Sequence, residues 1–268
     1  MGTSIRMKTR SHFPLKFFAL AFGISWLLWL PGVLGGPVLT ELAVFGPSAA
    51  GFALAWREGR GAGVRDLFKR VLNWRIPIRW LAVIVLLPAG LFVLTLWLVG
   101  LFTGDAATGW QVPEFLPHPL FIIPYFLYTL VFHGPLGEEF GWRGYALDRL
   151  QARWSPLTAS IILGAFWGVW HLPLFFTSGS LHAESLPIVW FVFSTIPLSI
   201  LITWIYNSTG GNLLTAVLFH QMINFGLELN PTITSQPTAF AILVSLFTVS
   251  AVVVGLVWLK RGTNRLAD

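Results

Sequence analysis

Eight apolar runs, each close to the length that crosses a bilayer, dominate this sequence of 268 residues. They occupy roughly 13–34, 38–56, 78–102, 119–150, 156–176, 187–206, 211–229 and 238–259. A spanning helix takes about 20 mainly apolar residues. Clusters rich in Pro, Gly and polar residues separate the runs, among them "PGVLGGP", "REGRGAGVRD", "TSGSLHAESLP" and "NSTGGN". Only 10% of the residues are charged, against about 25% in soluble domains. The pattern predicts an all-α, polytopic transmembrane helical bundle of about eight spans, a single domain over 1–268, in an integral multi-pass protein of the lipid bilayer. The first basic residues precede an apolar run with no clean small-x-small cleavage site, which reads as a retained first helix.

The charges sort by loop. Arg6, Lys8, Arg10 and Lys16 lie at the start of the first run. Arg57, Arg60, Arg65, Lys69, Arg70, Arg75 and Arg79 lie between the second and third. Arg143, Arg149 and Arg153 precede the fifth, and Lys260, Arg261 and Arg265 follow the eighth. These are all 17 Lys and Arg, and none falls in the loops after runs one, three, five or seven. Basic residues in short loops stay cytoplasmic, so both termini are expected there. The formal charge of +6 is then an orientation signal and implies no nucleic-acid partner. The absence of cysteine excludes disulfides, thiol nucleophiles and Cys-held metal.

Ionisable groups at membrane depth are costly and usually mark function. Four features stand out: Glu138 and Glu139 with Arg143 in "GEEFGWRGY", His171 in "FWGVWHLPLFF", His220 in "LLTAVLFHQMINF", and Asn224 one turn beyond His220. Gly134-Pro135 interrupts the fourth run, and proline suits the first turn of a new helix. Both glutamates then fall at a helix start, where the positive end of the dipole favours carboxylates. Glu139 and Arg143 have the i,i+4 spacing of an ion pair, leaving Glu138 free. Glu138 and His171 each lie about 15 residues from the turn at "RWSP", so both sit ~22 Å from it on antiparallel neighbours. His220 and Asn224 share a helical face. A carboxylate and an imidazole at one level can hold a water and take its proton. A second imidazole with an amide can stabilise an oxyanion. Such a site, expected inside the bundle nearer the cytoplasmic face, suffices to hydrolyse an amide.

E-E-x-x-x-R, then a helix ending in His171, then H-x-x-x-N, resembles the CAAX protease and bacteriocin-processing family, which includes the type II CAAX prenyl proteases. The resemblance covers about 134–226, with a catalytic core at about 119–229. It implies an intramembrane endopeptidase acting on a peptide or lipidated protein, in the cell membrane of a prokaryote, with Glu138 and His171 activating water. His220 and Asn224 would form the oxyanion site, and Glu139 and Arg143 would order the motif or contact substrate. Position 167 is Trp where the family commonly has Phe, a difference expected to leave the chemistry untouched. No cofactor is expected. Zinc is the alternative, disfavoured because the sequence lacks H-E-x-x-H. Glu139 with Arg143 also fits a purely structural ion pair. A non-catalytic immunity or peptide-binding protein and a proton-coupled transporter are the competing functions, and oligomeric state is left open.

Overall fold

A computed structural model describes residues 13–37, 39–103 and 119–264. All eight apolar runs are helical, and the described residues form no strand. The elements are α1 (Leu15–Val33), α2 (Thr40–Ala43), α3 (Gly46–Val71), α4 (Ile78–Thr103), α5 (Ile122–Phe132), α6 (Pro135–Gly141), a π-helical segment (Trp142–Leu147) and α7 (Asp148–Gln151). There follow α8 (Pro156–Trp170), a 3-10 turn (Leu172–Phe176), α9 (Leu181–Ser185), α10 (Ile188–Ser208), α11 (Leu213–Glu228), α12 (Pro231–Ser235) and α13 (Pro237–Asn264). Among the described residues five helices are long and apolar enough to cross a membrane: α1, α4, α8 with its 3-10 extension, α10 and α13.

The other three runs depart from simple spans for local reasons. The glycine- and arginine-rich stretch after the second run, expected as a loop, is helical on both sides of a kink at Arg60 (φ 49°, ψ −140°). The chain folds back there so closely that a Cβ at Gly63 would lie 2.4 Å from the Ala55 carbonyl oxygen. The fourth run is broken at Gly134, whose φ of +117° an L side chain rarely adopts. It is broken again by the π segment, a feature common at functional sites. The seventh run, α11, has 16 residues, about 24 Å of helix.

Helices meet through small residues, as bilayer interfaces favour. A Cβ at Gly164 of α8 would sit 2.7 Å from the Ile196 Cα of α10, and Thr195 Oγ1 donates to the Gly164 carbonyl at 2.9 Å. A Cβ at Gly51 of α3 would lie 3.1 Å from the Gly141 Cα of α6, and one at Gly141 would lie 2.2 Å from the Pro47 carbonyl oxygen. These contacts hold α6 between α3 and α11.

The basic end of the bundle is closed by a polar network. Arg70 donates to Asp148 at 2.8 Å, to the Tyr206 hydroxyl at 2.5 Å and to the Gly144 carbonyl. Glu58 accepts from Tyr145 at 2.6 Å and from Arg149. Asn212 caps α11 and donates to the Asn73 carbonyl at 2.8 Å. Arg70 satisfies the Gly144 carbonyl and Arg149 the Tyr145 carbonyl, which is how the chain tolerates an irregular turn beside its glutamates.

Candidate active site

Glu138 sits in the first turn of α6, as Gly134-Pro135 suggested, and is 3% exposed. Its side chain curls back over the helix start. A Cβ on Gly134 would lie 2.3 Å from Glu138 Oε1, so glycine is required there for space as well as for φ. Glu138 Oε2 accepts from two indoles, Trp167 Nε1 at 2.6 Å and Trp142 Nε1 at 3.2 Å. Those two bonds fix the carboxylate plane and leave Oε1 on the Gly134 side.

His171 caps the end of α8. Its Nδ1 lies 2.7 Å from the Trp167 carbonyl oxygen. A carbonyl only accepts, so Nδ1 carries the proton and Nε2 is the basic nitrogen. His220, on α11, places Nδ1 2.9 Å from Glu139 Oε1. The same oxygen accepts from Arg143 Nη1 at 2.7 Å. The expected Glu139–Arg143 pair therefore forms, wholly buried, and also orients His220. The guanidinium carbon of Arg143 lies 4.9 Å from the Trp167 ring centre. Asn224, half-buried one turn beyond His220, donates one amide N–H to the His133 carbonyl at 3.0 Å. Its second N–H is uncommitted in that bond.

Glu138, Trp167, His171, His220 and Asn224 line one cavity of ≈ 780 Å³. Glu139 and Arg143 do not line it and stand behind His220. Four of the six residues singled out in the sequence thus converge, and two support them.

The structure corrects one expectation and adds residues. Trp167 does more than pack: its indole N–H makes the shorter of the two bonds to Glu138, which a phenylalanine at 167 cannot make. The signal was present, since 167 lies one turn before 171 on the same face. His182, in α9, stacks on His171 with ring centres 5.6 Å apart and planes 24° apart. Burial pushes its pKa down to about 4, so it is neutral at pH 7. His133 pairs with Glu228 at 2.8 Å at the cavity wall.

The cavity runs away from the basic end. Beyond the polar residues its lining passes Trp29, Leu42, Leu174 and Phe247, then Glu41, Tyr125, Glu228 and the 178–182 loop. Arg70, Asp148 and Tyr206, which close the basic end, do not line it.

An all-helical membrane protein with a carboxylate, two imidazoles and an amide around one buried cavity belongs to the class of membrane-embedded hydrolases. Residues 119–226 match the family model described as "Type II CAAX prenyl endopeptidase Rce1-like". The chain is also 28% identical over 221 residues to "CAAX prenyl protease 2" of Methanococcus maripaludis, covering 80% of this chain and 76% of that protein. The match spans all three motifs, so over the candidate site the chain is similar to the Rce1-like family of membrane proteases.

Proposed function

We propose that the chain hydrolyses a peptide bond inside the bilayer with a water held between Glu138 and His171. The water oxygen attacks the scissile carbonyl carbon while its proton passes to the Glu138–His171 pair. The oxyanion faces His220 Nε2 and the second N–H of Asn224. To donate from Nε2, His220 carries both ring protons, and Glu139 holds the one on Nδ1. Collapse breaks the C–N bond, and the proton taken from water returns to the departing amine. The observation that carries this reading is the convergence of Glu138, His171, His220 and Asn224 on one cavity, with Nδ1 of each histidine already committed.

A zinc mechanism fits poorly. Among the described residues no three His, Asp or Glu side chains are placed to ligate one metal ion. His220 Nδ1 and Arg143 share Glu139, and Glu138 Oε2 is held by two indoles. No step is routed through metal.

The related protein is named for CAAX prenyl proteins, and the broad apolar walls here suit a lipidated or apolar peptide. The finer topology is part of the same proposal: eight membrane crossings, three of them by broken or short helices, with both termini on the basic side. The test uses the full chain in detergent with a farnesylated CAAX peptide and with apolar, unlipidated peptides. Cleavage of any of these peptides, lost in Glu138→Ala and in His171→Ala, supports the mechanism. Wild-type rates in either variant reject it.

A further inference from the structure

The second half of α3, residues 61–71, lies outside the cavity, and its two faces differ. Gly63, Leu67 and Val71 are buried and form one stripe at i, i+4 and i+8. A Cβ at Gly144 in the π segment would lie 2.9 Å from Leu67 Cδ2. Arg70 bonds Asp148, the Tyr206 hydroxyl and the Gly144 carbonyl, and Asn212 holds the Asn73 carbonyl just past the helix. The stretch is therefore laid across the basic end of the bundle and fastened to α7, α10 and α11.

At 3.6 residues per turn, Arg65, Lys69 and Leu72 project opposite the buried stripe. Arg65, Lys69 and, beyond the helix, Arg75 are exposed, and no side-chain bond or ion pair involves them among the described residues. The two acids of 56–79 are committed elsewhere, Asp66 to Arg70 and Glu58 to Tyr145 and Arg149. Beside these free cations Leu72 is 71% exposed and Trp74 78%. Hydrocarbon does not tolerate unpaired cations, and a face turned wholly to water gains nothing from a bare leucine and indole. Basic and apolar side chains together suit the headgroup layer, where the apolar groups reach the acyl boundary and the cations reach phosphate. We propose that this face binds anionic phospholipid of the surrounding bilayer, with Arg65, Lys69 and Arg75 on the headgroup phosphate and Leu72 and Trp74 at the acyl boundary. Charge selects the occupant: three cations without a free acid beside them favour a lipid of net negative charge over a zwitterionic one.

The test offers the full chain, purified in a neutral detergent, equimolar phosphatidylglycerol and phosphatidylcholine with identical acyl chains. Lipid retained on the re-purified protein is quantified by mass spectrometry. Phosphatidylglycerol is expected to exceed phosphatidylcholine by at least about tenfold, given the attraction near each surface cation, and the excess should shrink in about 1 M salt. Combining Arg65→Gln, Lys69→Gln and Arg75→Gln breaks no bond within the protein. That variant should elute and melt like wild type in detergent, yet retain the two lipids about equally. Leu72→Asn with Trp74→Asn keeps the charges and should weaken retention of both lipids alike. No preference in the wild type, or an undiminished preference in the triple variant, overturns the proposal. Displacement of phosphatidylglycerol by millimolar inorganic phosphate overturns it too, since the site would then serve a soluble anion. No peptide is cleaved in these measurements, so they stand apart from the hydrolytic reading.

Discussion

The two ends of the bundle solve opposite problems with similar side chains. At the basic end, Arg70, Asp148, Tyr206, Glu58 and Arg149 satisfy one another and close the structure. At the other end, Glu138, His171, His220 and Asn224 each keep one polar atom turned towards an open cavity. Between them stand two adjacent carboxylates with different fates. Glu139 is consumed by Arg143 and His220, while Glu138 is steered by two indoles. Polar groups inside a membrane can thus be spent on architecture or kept for chemistry. What distinguishes the two uses is whether the side chain is turned to a charged partner inside the protein or lines the cavity.

That division can be broken by experiment. Glu138→Gln should remove about three orders of magnitude or more of peptidase rate, in the upper range for losing a general base. Its elution profile and helical signal should match wild type, since the amide keeps the volume of the acid. Arg143→Met tests the supporting pair. Removing one partner of a buried ion pair costs about 3 kcal/mol or more, so thermal stability in detergent should fall clearly, with activity falling because Glu139, which holds His220, loses the cation that fixes it. A variant as stable as wild type would place Arg143 outside the architecture. At the closed end, Arg70→Met should cost about 2 kcal/mol by stranding hydrogen bonds to a charged group, yet leave kcat unchanged in folded protein. Loss of kcat there would dissolve the distinction between the ends. The finest probe is Trp167→Phe. Trp142 still holds Glu138 Oε2, so kcat should drop about tenfold, the worth of one hydrogen bond to a carboxylate, with KM little altered. No change would return residue 167 to simple packing.

Much of the site was legible because its signals are local. The i,i+4 spacings of Glu139 with Arg143 and of His220 with Asn224, and the glycine-proline break ahead of Glu138, follow from helix geometry alone. The link between His220 and Glu139 was not legible, since it joins residues 81 positions apart on different helices. Nor was the role of Trp167, which depends on the reach of an indole between α8 and α6. The helical stretch around Arg60 was missed because glycines argue for a loop by propensity, while close packing of Gly63 on Ala55 rewards a helix with a kink.

Composition by itself determined an integral helical membrane protein, because burying charge in hydrocarbon leaves a chain few alternatives. The tertiary structure alone decided which polar groups are satisfied and which face the cavity, and at which end that cavity opens. Those outcomes depend on contacts between helices far apart in the chain, where the position of one glycine or one indole nitrogen sets the distance at which two elements meet.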